Sequence, residues 1–393
     1  MPSIPRLTAT LAAALFLTSP VVAQTASVSP RPATLSDGWK TGPADSAGLD
    51  PARLAALTAS VRAGNHPGIH AILIERGGRL VYEEYFSAPD TRWGTSLGTV
   101  AMNGNTLHDL RSVTKSVVSA LVGIAVGDGA IKSLDQPVVE WFPEYPELNT
   151  AERRRITLAH VLGMTAGLEW NEEIPYTDPR NDEIRMTRDP QPLRFALSPA
   201  MLHSPGKEWE YSGGLVQVMA AVLERATKQS IEDYARTRLF APLGIDTVEW
   251  VGDLAGMPAA ASGLRLRARD LAKFGSVFLH GGKWNGKQVV PAAWVESSTR
   301  RQFPFSPQPT DSGGRRGYGH FWWYSCLPGE IEARTAVGNG QQRVYVVPKY
   351  DLVVTIFAGR YNDPTASTLA AGILRNHVLP AVRTGAHPGC PGA

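Results

Sequence analysis

Between Leu110 and Val126 the chain is apolar on almost every side of a helical wheel, with Val117, Val118, Ala120, Leu121, Ile124 and Ala125 spread around it. A helix of that kind has no face to give to water, so it is expected at the centre of a folded domain. Upstream, Asp50-Pro51 supplies an N-cap and a proline at the first helical position, which predicts a helix to about Ala63. The apolar runs at 69–74 and 80–86 are joined across Gly77-Gly78, the pattern of a hairpin. A helix leading into an antiparallel hairpin argues against a doubly wound nucleotide-binding sheet.

Downstream, 156–168 reads as a short apolar helix and 215–226 as a buried one. The stretch 169–195 between them is irregular and charged, suited either to cap a pocket or to sit in solvent. A helix is expected over 269–279, then a tight hairpin turn at Gly281 to Lys287. Strands are expected at 318–324, 333–337, 343–347 and 352–358, the last two joined across Pro348-Lys349-Tyr350-Asp351, before a final helix over 364–379. This order predicts an α/β (α+β) sandwich. An antiparallel sheet from the two ends of the chain is packed by the N- and C-terminal helices, and a mostly helical region is inserted between them. The boundaries read as an α/β lobe at 44–145 and 262–382, a helical lobe at 146–261, a leader at 24–43 and a tail at 383–393.

Chemistry enters where the apolar helix begins, at Ser112-Val113-Thr114-Lys115. Helical positions three apart share a face, so Lys115 is expected beside the Ser112 hydroxyl. The unpaired amides of a helix N-terminus favour developing negative charge there. A serine needs an adjacent base, and a lysine desolvated enough to lose its proton near neutrality can be one. The competing reading is a serine N-cap with a solvated lysine.

Two other serines sit in nucleophile-like patterns. Ser204-Pro205-Gly206-Lys207 is a turn, and Ser96 in Gly94-Thr95-Ser96-Leu97-Gly98 lacks the strand and helix that such an elbow needs. Tyr211, on a turn before the 215–226 helix, is either a packed aromatic or a proton carrier over the site. His160 has no second histidine at metal-ligand spacing and reads as structural. The glycine loop at 281–287 mimics a phosphate loop, but Gln288 stands where Ser or Thr is required.

Composition narrows the class. Residues 1–23 carry one charge, Arg6, then an apolar run and small residues before Gln24, the form of a cleavable export signal. Its loss would take the formal charge from +3 to +2, a balance that points to no nucleic acid and no anionic membrane as partner. No second stretch is long enough to span a bilayer, and a periplasmic or secreted location is expected. Cys326 and Cys390 are the only cysteines; in an oxidising compartment they are expected to bridge.

Taken together, these residues resemble the serine β-lactamase and penicillin-binding-protein superfamily, in its class C-related branch with esterases and 6-aminohexanoate-dimer hydrolases. The resemblance runs from about Asp45 to Val382. It is carried by Ser112-Val113-Thr114-Lys115, Pro205-Gly206 with Tyr211-Ser212, Ser262-Gly263-Leu264 with Asp270-Leu271-Ala272, and Gly281-Gly282 with Asn285-Gly286-Lys287. The usual Tyr-x-Asn is here Tyr211-Ser212-Gly213, and the Lys-Thr-Gly strand motif is missing, falling near Thr335-Ala336-Val337 or Asn339-Gly340-Gln341.

The resemblance implies a serine hydrolase that cleaves a small-molecule ester or amide through a Ser112 acyl-enzyme, Lys115 acting as base and Tyr211 as proton shuttle. It implies an oxyanion hole at the amides of Ser112 and a residue near Gly338, with substrate contacts from Trp170, Asn339, Gly340 and Gln341. It implies no metal and no cofactor. The alternatives are a DD-peptidase or β-lactamase, and a non-catalytic binding or sensing relative.

Overall fold

Asp50 opens the first long helix as its sequence demands. Its carboxylate accepts from the Ala52 and Arg53 amides, Pro51 follows, and α1 (Pro51–Arg62) results. The structure, a computed structural model, describes residues 31–304, 315–327 and 331–383. The segment expected to be an export signal and Cys390 lie outside the described residues. Cys326 is disulfide-bonded.

β1 (Ile69–Arg76) and β2 (Arg79–Tyr85) form the expected hairpin, with Gly77 and Gly78 at φ 60° and 70°. Around Ser96, where the sequence shows no strand, β3 (Ser87–Arg92) and β4 (Thr95–Ala101) make a second hairpin. β4 is exposed along nearly its whole length, so no apolar alternation announces it. β5 (His108–Asp109) then leads into the central helix α2 (Val113–Gly127).

The helical region holds α3 (Leu158–Leu162), α4 (Asp182–Thr187), α5 (Pro192–Leu197), α6 (Gly213–Thr227) and α7 (Ile231–Ala235). The helix expected over 156–168 is only five residues long, because Met164 and Gly167 adopt left-handed backbone. β6 (Glu249–Trp250) and β7 (Leu264–Leu266) pair back toward β5, with β7 in the middle. α8 (Ala268–Leu279) precedes a short hairpin of β8 (Lys283–Trp284) and β9 (Lys287–Gln288), and then α9 (Ala292–Thr299), which the sequence reading did not anticipate.

The chain closes with β10 (Phe303–Pro304), β11 (Arg315–Tyr318), β12 (Trp323–Leu327), β13 (Ile331–Gly338), β14 (Gln342–Val347), β15 (Leu352–Ala358) and α10 (Leu369–Ile373). One strand was expected over 318–324. A turn with Phe321 at φ 57° splits it between β11 and β12. The last helix is likewise broken, with a 3-10 turn before α10 and a π turn after it.

Among the described residues the main sheet has eight strands in the order β10-β11-β12-β13-β14-β15-β1-β2, each pair antiparallel. Alternation sorts its side chains between two cores. Ile72, Ile74, Val354 and Ile356 pack with Leu54, Leu57, Ile373 and Val378 from the terminal helices. Leu73, Val353 and Phe357 face the other way, toward α2 and α8. The fold is the expected mixed α/β sandwich. α2 is buried along its length and runs between sheet and helical region, which delivers its N-terminus to their junction.

Candidate active site

Arg111, immediately before the nucleophile candidate, is held at φ 51°, a conformation that costs a non-glycine residue energy. Its guanidinium makes an ion pair of 3.0 Å with Asp109 and lies over the rings of Trp93 and Tyr361, at 5.1 and 4.8 Å from their centroids. That clamp offsets the strain and turns Ser112 into the mouth of the site. Ser112 sits at the N-cap of α2 but makes no side-chain cap hydrogen bond. Its Oγ instead accepts from Lys115 Nζ at 3.1 Å.

Lys115 is not solvated. It is fully buried, and its ammonium also donates to Ala261 O at 3.0 Å, faces Glu183 Oε2 at 3.6 Å and lies 4.9 Å from the Tyr211 ring centroid. Burial alone would lower its pKa. Tyr211 and the carboxyl groups of Glu183 and Glu172 act the other way and prevail, holding the amine above the ordinary lysine range. The expected lowered lysine is therefore corrected: Lys115 is a cation at neutral pH. Tyr211 is presented just before α6, where Ser212 caps the helix by accepting from Leu215 N. Its phenol reaches both Ser112 and Lys115, and burial pushes its pKa up although Lys115 pulls it down.

Two residues of the charged stretch 169–195 were not read from the sequence as part of the site. Glu172 accepts from the Trp170 indole at 2.7 Å, the Gly213 amide at 2.6 Å and the Tyr176 hydroxyl at 2.9 Å. Glu183 accepts from Ser262 Oγ at 2.6 Å. Burial and the neighbouring Glu183 charge push Glu172 up to about 8, so it holds a proton at neutrality. Burial would raise Glu183 too, but Lys115 and its hydrogen bonds to Glu172 and Ser262 keep it below the usual range. Pattern cannot separate these acids from a solvated loop. The detectable trace is Gly213, where a Cβ would come within 2.6 Å of Glu183 Oε2.

The other expected site residues are more scattered. Trp170 is buried against Gly214, whose Cβ would meet the indole at 2.6 Å, so it supports Glu172 rather than offering an open binding face. Asn339 is clasped by Asn362 at 2.6 and 2.9 Å, Gly340 is packed under Tyr361, and Gln341 is buried with its Oε1 facing Ala370 N at 3.4 Å. These three shape the turn after β13. Gly338 does abut the nucleophile's approach: a Cβ there would lie 2.3 Å from Leu110 O. Beside Tyr211 stand Trp209 and Trp323, each ring 6.0 Å away, forming an aromatic wall.

Ser96 lies exposed on β4, and Ser204 is an exposed turn residue; neither has a buried lysine beside it. His160 is structural, its Nδ1 accepting from Thr157 N at 3.1 Å in the cap of α3. No helix among the described residues is long and apolar enough to cross a membrane.

Known proteins are similar to this chain in sequence and in fold. A 6-aminohexanoate-dimer hydrolase of Paenarthrobacter ureafaciens is 29% identical over 300 residues, covering 72% of this chain and 71% of that one. A penicillin-binding protein homologue from Caulobacter crescentus superposes with a TM-score of 0.60 at 18% identity, covering 82% and 97% of the two chains. A family VIII carboxylesterase does so at 0.59 and 16%, covering 82% and 96%. At those identities the structures speak to fold alone. The sequence model of the Beta-lactamase family matches residues 54–375, so the chain belongs to that family and is one of its serine hydrolases.

Proposed function

We propose that the protein cleaves an ester or amide bond in a small molecule through an acyl-enzyme on Ser112. The observation that carries this is the 3.1 Å contact between Ser112 Oγ and a buried Lys115 at the start of α2, with the Tyr211 ring centroid 4.9 Å from that ammonium. Because Lys115 keeps its proton, its role is electrostatic: the ammonium stabilises the alkoxide forming at Ser112. Tyr211 carries the proton. As Oγ bonds to the carbonyl carbon, its hydrogen passes to Tyr211 Oη, and the phenol's own hydrogen passes to the leaving oxygen or nitrogen. The carbonyl oxygen becomes the oxyanion, held by the Ser112 amide and one near Gly338. Collapse breaks the bond to the leaving group, and water deacylates Ser112 by the same relay in reverse. The Trp209–Trp323 wall suits an apolar or linear substrate chain beside the scissile bond.

Export to the periplasm or medium, with cleavage before Gln24, belongs to the same reading. The apolar run at residues 7–22 supports it, and N-terminal sequencing of the mature protein tests it.

A fluorophosphonate should add one phosphonyl mass to the peptide carrying Ser112, and p-nitrophenyl esters should turn over. Ser112→Ala should abolish both, while Ser96→Ala and Ser204→Ala leave both largely intact. Label on Ser96 or Ser204, or full activity without Ser112, refutes the assignment.

A further inference from the structure

Behind the nucleophile lies a cluster that the hydrolytic reaction does not use. His70, Asp90 and His108 are buried, and they come from three different sheets through β1, β3 and β5. Two of them stand at β-bulges: β1 slips register between Ile69 and Ala71, and β3 between Asp90 and Thr91. A bulge takes a side chain out of the regular alternation and re-aims it. Gly359 makes room for the result, since a Cβ there would lie 2.5 Å from Pro89 O and 2.7 Å from His70 Cε1.

The hydrogen bonds around the two rings fix where their protons are. His70 Nε2 faces Pro89 O at 3.2 Å, and His108 Nδ1 faces Asp109 O at 3.0 Å. A carbonyl only accepts, so these outer nitrogens carry the ring protons. The inner nitrogens, His70 Nδ1 and His108 Nε2, then meet at 2.8 Å with a lone pair each. Asp90 Oδ1 stands 3.9 and 3.6 Å from them and takes a hydrogen bond from the Tyr361 hydroxyl at 3.3 Å. Three acceptor atoms therefore converge out of reach of water, an arrangement that demands a positive occupant.

Its geometry says which. A triangle with sides of 2.8, 3.6 and 3.9 Å is acute and has a circumradius of about 2.0 Å. One interior point thus lies about 2.0 Å from all three atoms, the length of a zinc bond to imidazole nitrogen or carboxylate oxygen. Two imidazoles and one carboxylate suit zinc-type ions rather than calcium or magnesium. Outer ring nitrogens bonded to backbone carbonyls are the usual support of histidine ligands.

We propose that His70, Asp90 and His108 bind one zinc-type divalent ion, a structural staple joining three sheets four residues before Ser112. Three protein ligands leave a fourth position open, but burial on all sides keeps substrate away from it, so the role argued for the ion is structural. No local pattern announces it, because the ligands lie far apart along the chain and match no H-x₃₋₅-H spacing.

The test is metal analysis of the full-length chain, purified without a histidine tag, together with cobalt(II) titration of metal-stripped protein. About one equivalent of bound zinc is expected, with visible cobalt bands that zinc displaces. His70→Ala and Asp90→Asn should each lose that equivalent, while His203→Ala, outside the cluster, keeps it. Circular dichroism reports folding of each variant, and the wild-type cobalt titration decides the matter where a variant does not fold. Folded, active wild type that takes up less than about 0.1 equivalent in about tenfold metal excess overturns the proposal; the inner nitrogens would then share a proton balanced by Asp90. Metal that survives both substitutions overturns it as well, by placing the ion elsewhere.

Discussion

At the scale of single residues, the site depends on charges placed where burial alone would forbid them. Lys115 keeps its proton because Tyr211 and the ionised Glu183 carboxylate surround it. Lys115→Ala should therefore lower kcat by about 10³-fold and Tyr211→Phe by about 10²- to 10⁴-fold. The double variant should be little worse than the poorer single, since the two groups serve one proton transfer; steady-state kinetics with a p-nitrophenyl ester measures this. Glu172 adds a pH dependence of stability. Its folded value of about 8 lies above the 4.5 of free glutamate, so between those values the native state holds a proton that the unfolded chain has released. The stability it contributes is complete below about pH 4.5 and is lost as pH rises to about 8. Urea midpoints measured at about pH 5, 6.5 and 8.5 should fall with pH in the wild type, and fall less in Glu172→Gln. Equal slopes in the two proteins would contradict a protonated Glu172. Ser112, Lys115 and Tyr211 were legible because local spacing places them: one helical turn joins the first two, and a turn before a helix presents the third. Glu172 and Glu183 were not, because their burial is decided by α6 packing over a loop whose composition is that of a surface.

At the scale of elements, what reads from sequence is the element that carries its own signal. α1 announces itself by a cap and a proline, β1 and β2 by two glycines, and α2 by an apolar circumference. β3 and β4 do not, since β4 is exposed almost throughout and β3 buries only the small Ala88 and the polar Asp90; nor does α9, an eight-residue helix with no side-chain cap. Its partner contact, however, yields a sharp expectation. Gly123 lies in the middle of α2, where alanine would ordinarily favour the helix by about 1 kcal/mol. A Cβ at Gly123 would stand 2.2 Å from Trp294 Cγ of α9, and Trp294 is buried with little room to withdraw. Gly123→Ala should thus be destabilising, by about 1–3 kcal/mol, in chemical denaturation. A gain in stability would show that α9 yields easily and that the packing of α2 is looser than its burial implies.

At the scale of the whole molecule, the sandwich was readable because its two cores follow from strand alternation, whereas the joints between sheets were not. They are made by residues distant in sequence whose pairing no local pattern records. Asp109 is the clearest joint. It is buried at the end of β5, accepts from Arg265 Nε of β7 at 2.7 Å and from the Trp93 amide beyond β3 at 2.8 Å, and pairs with Arg111 at 3.0 Å. One carboxylate thus ties the small sheet to the β3–β4 hairpin and to the strained residue that sets Ser112. Arg265 is itself buried and would keep only Glu249 and the Leu107 carbonyl, so losing Asp109 leaves its Nε charge poorly solvated. Asp109→Ala should cost about 3–5 kcal/mol of stability, and Asp109→Asn less, because the amide still accepts from Trp93. Both should lower kcat of the folded enzyme as well, since Arg111 loses the ion pair that holds φ 51° against its strain. Denaturation and ester kinetics on the same preparations separate the two effects. A variant that loses stability but keeps full kcat would show that Trp93 and Tyr361 alone hold Arg111, and that the carboxylate joins the sheets without setting the nucleophile.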